Sequence, residues 1–219
     1  MGHELVGLEI THGLREKISD VYQNGGPVTK TEDNKEEMTA LGLMMQLLTN
    51  VESFPEVKFG NLREALDRAG STLSAFRKAV FVLHAFAFEF AIGNSVRQGN
   101  ADMRLIRSRF ISECVDFIAK SPKYVDAPET FLADLALYGT AVSDSVKDLG
   151  GSAREGNILV PIENVFYISV FGCGAEEFRK DVGAKEAKVI SDVAGQVIHT
   201  FLPLVRHAHQ QLRASGVIG

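Results

Sequence analysis

Two ionisable side chains stand inside a long apolar run of this chain. Between Ala79 and Ile92 the only polar residues are His84 and Glu89. A carboxylate or an imidazole that is held away from water must find a partner or change its protonation state. Groups of this kind also serve as acids and bases in active sites, so the pair is the first candidate for chemistry in the sequence.

The spacing of the two residues argues against a joint site on one helix. Five residues at 100° each place His84 and Glu89 about 140° apart, so they cannot contact each other along the helix. Each of them therefore needs a partner from another segment. We favour a structural ion pair or hydrogen bond, and the alternative is a small-ligand binder or enzyme that holds both side chains in a buried pocket.

A partner for Glu89 is found in the segment that follows. A helix is predicted from residue 102 to about residue 120, with an apolar stripe of Met103, Ile106, Phe110, Cys114 and Phe117. Arg107 lies at the edge of this stripe, about 40° from Met103. We expect Arg107, or failing it Arg104, to pair with Glu89 after an antiparallel return of the chain. The predicted buried polar centre consists of Glu89, His84, Arg107 and Arg104.

The same region contains the densest basic run of the sequence, and this suggests a second function. Its members are Arg97, Arg104, Arg107 and Arg109. They are candidates for binding phosphates in a nucleic-acid-coating protein of the nucleocapsid or coat type. However, the arginines of the predicted helix point in different directions, and the chain has no tryptophan and only four tyrosines to stack on bases.

Other motifs give no support to a catalytic or metal site. The glycine turn of residues 171–177, FGCGAEE, has Glu177 where a dinucleotide-binding turn has its third glycine. Cys173 within this turn is interpreted as structural. His199, His207 and His209 lack the spacing of three or four residues that helical metal ligands share. We assign no catalytic residue, no metal ligand and no cofactor.

The elements that position these residues are predicted to be helices. The run around His84 is too long for an ordinary strand and has no polar face, which is typical of a helix that other helices enclose. We predict an all-α fold of seven to eight helices around a buried central helix at about 72–97. Residues 158–171 remain open, because their composition suits a strand while Pro161 could begin a short helix.

Bulk properties are consistent with one globular domain over residues 1–219, and the polar loop of residues 23–35 allows a mobile N-terminal arm at 1–33. The largely apolar run around His84 has fourteen residues, which are too few to span a bilayer. A cytoplasmic protein is expected, since no secretory signal is visible and two cysteines give no disulfide framework.

These observations favour a non-enzymatic helical interaction or assembly protein that associates with itself or with a protein partner. The net charge of −5 argues against a wholly basic nucleic-acid binder. Nucleic-acid coating through the four arginines is the first alternative. Ligand binding or catalysis around Glu89 and His84 is the second.

Overall fold

The computed structural model describes residues 32–52, 61–97, 102–121, 128–148 and 155–218. Nine helices occupy these ranges, or eight if the last two are counted as one bent helix. They are α1 (Glu32–Glu52), α2 (Leu62–Arg68), α3 (Leu73–Arg97), α4 (Asp102–Lys120), α5 (Pro128–Asp148), α6 (Glu155–Phe171), α7 (Ala175–Asp181), α8 (Ala184–His199) and α9 (Phe201–Ala214). The all-α prediction is confirmed for these ranges. The predicted N-terminal arm lies outside the described residues except for its last two positions.

The central helix of the fold is α3. It packs against α1, α2, α4, α5, α6 and α9. Every residue from Ala79 to Phe88 is buried, because apolar side chains project from all sides of this helix and each side meets another helix. The predicted bounds of about 72–97 agree with those of α3.

Aromatic stacking fixes the helices around α3. The Phe86 ring lies between Tyr138 of α5 and Phe201 of α9, with centroid distances of 5.2 Å and 5.6 Å. On another side of α3, Phe88 stacks on Phe110 of α4 at 6.0 Å. Such pairs contribute about 0.5–1.5 kcal/mol each beyond the burial of their area.

Two helix ends rely on glycine. Gly70 has φ of 76°, a conformation that side chains with a Cβ rarely adopt. The Gly70 N–H donates a hydrogen bond to the Asp67 carbonyl oxygen, and the Ser71 N–H donates one to the Leu66 carbonyl oxygen at 2.9 Å. This Schellman pattern closes α2 and turns the chain into α3. The same pattern closes α9 at Gly216.

The structure resolves the ambiguity at residues 158–171 in favour of a helix. Ile162, Phe166 and Val170 are buried at steps of four, which is the helical period, and no strand exists in the described ranges to pair with this segment. Pro161 lies inside α6, at its seventh residue, and does not begin the helix. Tertiary packing therefore outweighs the strand propensity of the side chains.

Pro203 lies in the C-terminal helical region, where a proline bends or interrupts a helix. The run of α-helical hydrogen bonds is interrupted at Thr200, whose N–H bonds the Val197 carbonyl oxygen three residues back, so that α9 begins at Phe201 and Pro203 lies in its first turn. Proline is tolerated there because a first-turn N–H has no partner within the helix. A further interruption at Val182 and Gly183, which the sequence did not indicate, separates α7 from α8.

Among the described helices, none has the length and apolar composition to cross a bilayer by itself. Of the helix pairs in the described ranges, α6 and α7 taken together have the required length and apolar composition, but they are bent by 51° at the break between them.

Replacing Phe86 with alanine should reduce the free energy of unfolding by about 3–5 kcal/mol, because the ring is enclosed and its removal leaves a cavity. Urea denaturation followed by circular dichroism measures this change. Leu105→Ala on exposed α4 surface is the control, with a change expected within about 0.5 kcal/mol. Equal effects for the two variants would contradict the enclosure of α3.

Candidate functional site: separate polar contacts and an exposed apolar face

The ion pair expected at Glu89 is present. Nε of Arg107 donates to Oε1 of Glu89 at 2.6 Å, and Nη2 of the same guanidinium also contacts that oxygen. The pair joins α3 to α4. These helices are antiparallel, because Phe81 contacts Phe117 near one end while Glu89 meets Arg107 near the other.

The four residues of the predicted buried polar centre do not come together in one buried cluster. The Glu89 side chain is 13% exposed and that of Arg107 is 50% exposed, so the pair lies at the margin of the fold. Arg104 is exposed and has no part in this ion pair. A long arginine side chain can pack its methylenes on apolar surface and keep its charge in water, which explains why the pair is not fully enclosed. Its contribution to stability is of the order of 1 kcal/mol.

His84 has a different partner and lies in the interior. Its Nε2 is 3.2 Å from Oγ1 of Thr200, the residue between α8 and α9. The Thr200 hydroxyl donates to the Val197 carbonyl oxygen at 2.6 Å, so it accepts from the imidazole, and Nε2 therefore carries the ring proton. Nδ1 is buried and has no hydrogen-bond partner. Burial lowers the pKa of His84 to about 4.

Glu89 and His84 therefore do not form one site. The first residue anchors α4, and the second anchors the bend between α8 and α9. Because Nε2 donates to the threonine oxygen, it cannot take the hydroxyl proton, and no hydrogen bond from a described residue to Nδ1 orients the ring as a general base. Both contacts are suited to holding helices in place.

The arginine cluster is divided between helices. Arg107 pairs with Glu89 of α3, and Nη1 of Arg109 is 3.3 Å from Oε2 of Glu37 in α1. Arg104 is exposed, and the Arg97 side chain lies outside the described part. Two of the four arginines thus have acidic partners on different sides of α4, which supports a structural role for these two.

The sulfur and imidazole groups do not assemble a reactive centre. Cys114 is buried, with its Sγ 3.6 Å from the Met44 sulfur. Partial burial, followed by the charges of Glu177 and Asp181, raises the pKa of the Cys173 thiol, which disfavours the thiolate. Within the described ranges no three histidine, cysteine or acidic side chains are grouped so that they could hold a metal ion.

An exposed apolar face is the feature that sequence reasoning missed. Four large apolar side chains on the neighbouring helices α5 and α6 are 38–60% exposed: Leu132, Leu137, Val160 and Ile168. We call these four residues, together with the exposed Ala136, the α5–α6 face. From residue 130 to residue 143 the sole charged residue of α5 is Asp134, which is 3.3 Å from the Lys78 ammonium of α3. The signal was present in the run FLADLAL at 131–137, which is apolar on both sides of a helix.

No family model matches this chain, and neither a curated protein nor a solved structure shows significant similarity to it.

His84 should make stability depend on pH. The unfolded imidazole takes up a proton near pH 6.5, whereas the folded one does so only near pH 4, so stability is complete above pH 6.5 and declines as the pH falls. The loss between pH 7 and pH 4.5 should be about 2–3 kcal/mol. Urea denaturation at both pH values measures it.

Two variants isolate this effect from the titration of carboxylates. His84→Gln removes the titrating group and should flatten the pH dependence by that amount, while His199→Gln, at an exposed histidine, should keep it. An unchanged pH dependence in His84→Gln would show that the folded imidazole is accessible to protons.

A double-mutant cycle tests the ion pair between α3 and α4. Glu89→Gln, Arg107→Gln and the combined variant should give a coupling energy of about 1 kcal/mol in urea denaturation, because Glu89 is largely shielded from water. The same cycle on Lys188 and Asp192, an exposed pair four residues apart, should give a few tenths of that value. Equal coupling in both cycles would argue against a shielded Glu89.

Proposed function

We propose that this protein is a non-enzymatic helical assembly protein whose copies associate through the α5–α6 face. The observation that supports this function is the exposure of four large apolar side chains on two adjacent helices. Grouped exposed apolar residues on a folded chain are typical of surfaces that another molecule covers. Removing them from water supplies the main driving force for association.

Charge favours a second copy of the chain as the partner. Each copy has a net charge of −5, so two copies repel each other at most orientations. Repulsion is smallest where the surfaces that meet have no charge. The stretch of α5 between residues 130 and 143 comes closest to this condition, since its single acid is paired with Lys78 and the next acid, Asp144, lies near the C-terminal end of the helix.

The size of the face is also compatible with a dimer. A helix of 21 residues such as α5 is about 30 Å long. Two packed helices form a strip about 20 Å wide, which gives a projected area of about 600 Å². Side chains make the accessible area larger than the projection, and a specific interface needs about 800 Å² from each partner.

The polar groups that were candidates for other functions give less support. Glu89, Arg107 and Arg109 are engaged in ion pairs between helices, and His84 is bonded to Thr200. Each of these contacts serves the internal packing. A catalytic or phosphate-binding function would have to break them or work around them.

Light scattering coupled to size exclusion, at two protein concentrations, tests self-association. The wild-type chain should show a mass of at least two copies, and Leu137→Glu should shift it to one copy, because the new carboxylates would be desolvated and would repel each other. Leu105→Glu on α4 is a matched control, since Leu105 is 39% exposed and Leu137 is 38% exposed. This control should keep the wild-type mass.

Several outcomes would overturn the proposal. One is a single-copy mass for the wild-type chain at both concentrations. Another is the loss of assembly in Leu105→Glu but not in Leu137→Glu. A third is co-elution of material that absorbs at 260 nm, with assembly lost after nuclease treatment, because nucleic acid would then hold the copies together.

A further inference from the structure

We infer that acid releases α9 from α3 and that His84 is the group whose protonation opens this contact. The release is independent of the proposed self-association, and it assigns the pH dependence of the fold to one helix. Three features of the described residues support it: the place of the His84 hydrogen bond, the unpartnered nitrogen of its ring and the charge of α9.

The hydrogen bond of His84 lies at the junction between α8 and α9. Its partner Thr200 is partly exposed and His199 next to it is exposed, although the imidazole itself is only 3% exposed. The following residue, Phe201, stacks on Phe86 of α3 at 5.6 Å. Because the hydrogen bond and the stacked ring are adjacent in the chain, opening this junction to water also loosens the first turn of α9.

A protonated His84 is poorly accommodated in the closed fold. Nε2 already donates to Thr200, so the added proton goes to Nδ1, which is buried and has no acceptor among the described residues. Burial lowers the pKa of His84 to about 4, and no charged group of the described ranges contributes to this shift. A buried charge without a partner is strongly destabilising, and contact with water removes the penalty. Acid therefore favours a state in which the imidazole is hydrated.

The charged groups on the helices that pack against α3 are engaged elsewhere or exposed. Ion pairs on α1, α3, α4, α5 and α6 join Glu37 with Arg109, Glu89 with Arg107, Asp134 with Lys78, Asp116 with Lys120, and Glu163 with Arg179. The charged groups of α2 are exposed, namely Arg63, Glu64, Asp67 and Arg68. None of these arrangements supplies a carboxylate to His84.

The buried titratable groups of these helices do not compensate the charge either. Cys114 of α4 and Tyr138 of α5 stay neutral, because burial raises the pKa of both. Glu36 of α1 is buried, but the adjacent Lys35 bonds the carbonyl oxygen of Gly216, beyond the far end of α9. A helix of 14 residues is about 20 Å long, which separates Glu36 from the His84 end of α9.

The charge of the C-terminal helix favours its separation in acid. Residues 193–219 contain two arginines and three histidines and no aspartate or glutamate. Arg206 and Arg213 of α9 are exposed. A protonated His84 therefore meets a helix that is already positive and that becomes more positive as its own histidines take up protons.

The packing of α9 allows it to separate while other helix contacts persist. Its buried side chains are Phe201, Leu204, Val205, Ala208 and Leu212. This helix packs mainly against α3, with smaller contacts to α1 and α8, whereas α1 packs on α4 and α5 packs on α6 without it. Openings that expose one element while the others stay folded are a common form of partial unfolding.

Thiol labelling of the full chain tests the release. On a Cys173→Ser background, Ala208→Cys places a thiol on the buried side of α9, and the buried native Cys114, which contacts Met44 of α1, reports opening of the α1–α4 contact. Both thiols are labelled with a dipyridyl disulfide at pH 7 and at pH 5, and peptide mass spectrometry separates them. Each rate is divided by the rate in the urea-unfolded chain at the same pH.

The normalised rate at position 208 should rise about 20-fold from pH 7 to pH 5, as a pKa of about 4 in the closed state and 6.5 in the open state requires. At pH 5 it should exceed the normalised rate at Cys114 about tenfold or more. Circular dichroism confirms folding, and Val205→Cys, a change of nearly equal volume at a buried position, provides a second probe.

Two histidine variants show whether His84 is the responsible group. His84→Gln keeps a donor for Thr200 but takes up no proton, so the rise at position 208 should disappear. His199→Gln, at an exposed histidine, should keep the rise.

Three outcomes would overturn the release of α9 by His84. One is an equal normalised rate at position 208 and at Cys114 at pH 5, which would show that only the whole fold opens. Another is a rate at position 208 that does not change with pH. The third is a rise that persists in full in His84→Gln.

Discussion

The enclosure of α3 is the constraint on which the structure depends. Ten consecutive residues, Ala79 to Phe88, lose their contact with water, and this is possible only if helices cover every side of α3. The hydrophobic effect stabilises that arrangement by about 25 cal/mol for each Å² of apolar surface removed from water. The positions of α4, α5 and α9 follow from it, because their aromatic rings stack on those of α3.

Burial also decides what the polar residues of α3 can do. His84 lies within the enclosed stretch, so it stays neutral and satisfies one nitrogen through Thr200. Glu89 lies one residue beyond that stretch, where Arg107 can reach it and still keep contact with water. The different depths of these two residues thus separate an interior hydrogen bond from an ion pair at the margin. Both fix neighbouring helices, and this leaves the outer surfaces of the helices as the regions open to partners.

Among these surfaces, the α5–α6 face is the one that we propose as the contact between copies. The inner side of α5 is committed to α3 through Phe131 and Tyr138. Its outer side exposes Leu132 and Leu137, on a chain whose net charge is −5. The fold covers the inner side of α5 and leaves these two leucines in contact with water. This is the physical basis of the proposed assembly.

The sequence by itself determined the helical class, the central helix and an ion pair of Glu89 with an arginine of the following helix, and the structure selected Arg107 over Arg104. These follow from helical periodicity and from the high cost of an unpaired charge near the core. Only the tertiary structure decided that residues 158–171 form a helix, that Thr200 is the partner of His84 and that the α5–α6 face remains uncovered. These depend on which helices become neighbours, and residues distant in sequence meet only after the chain has packed.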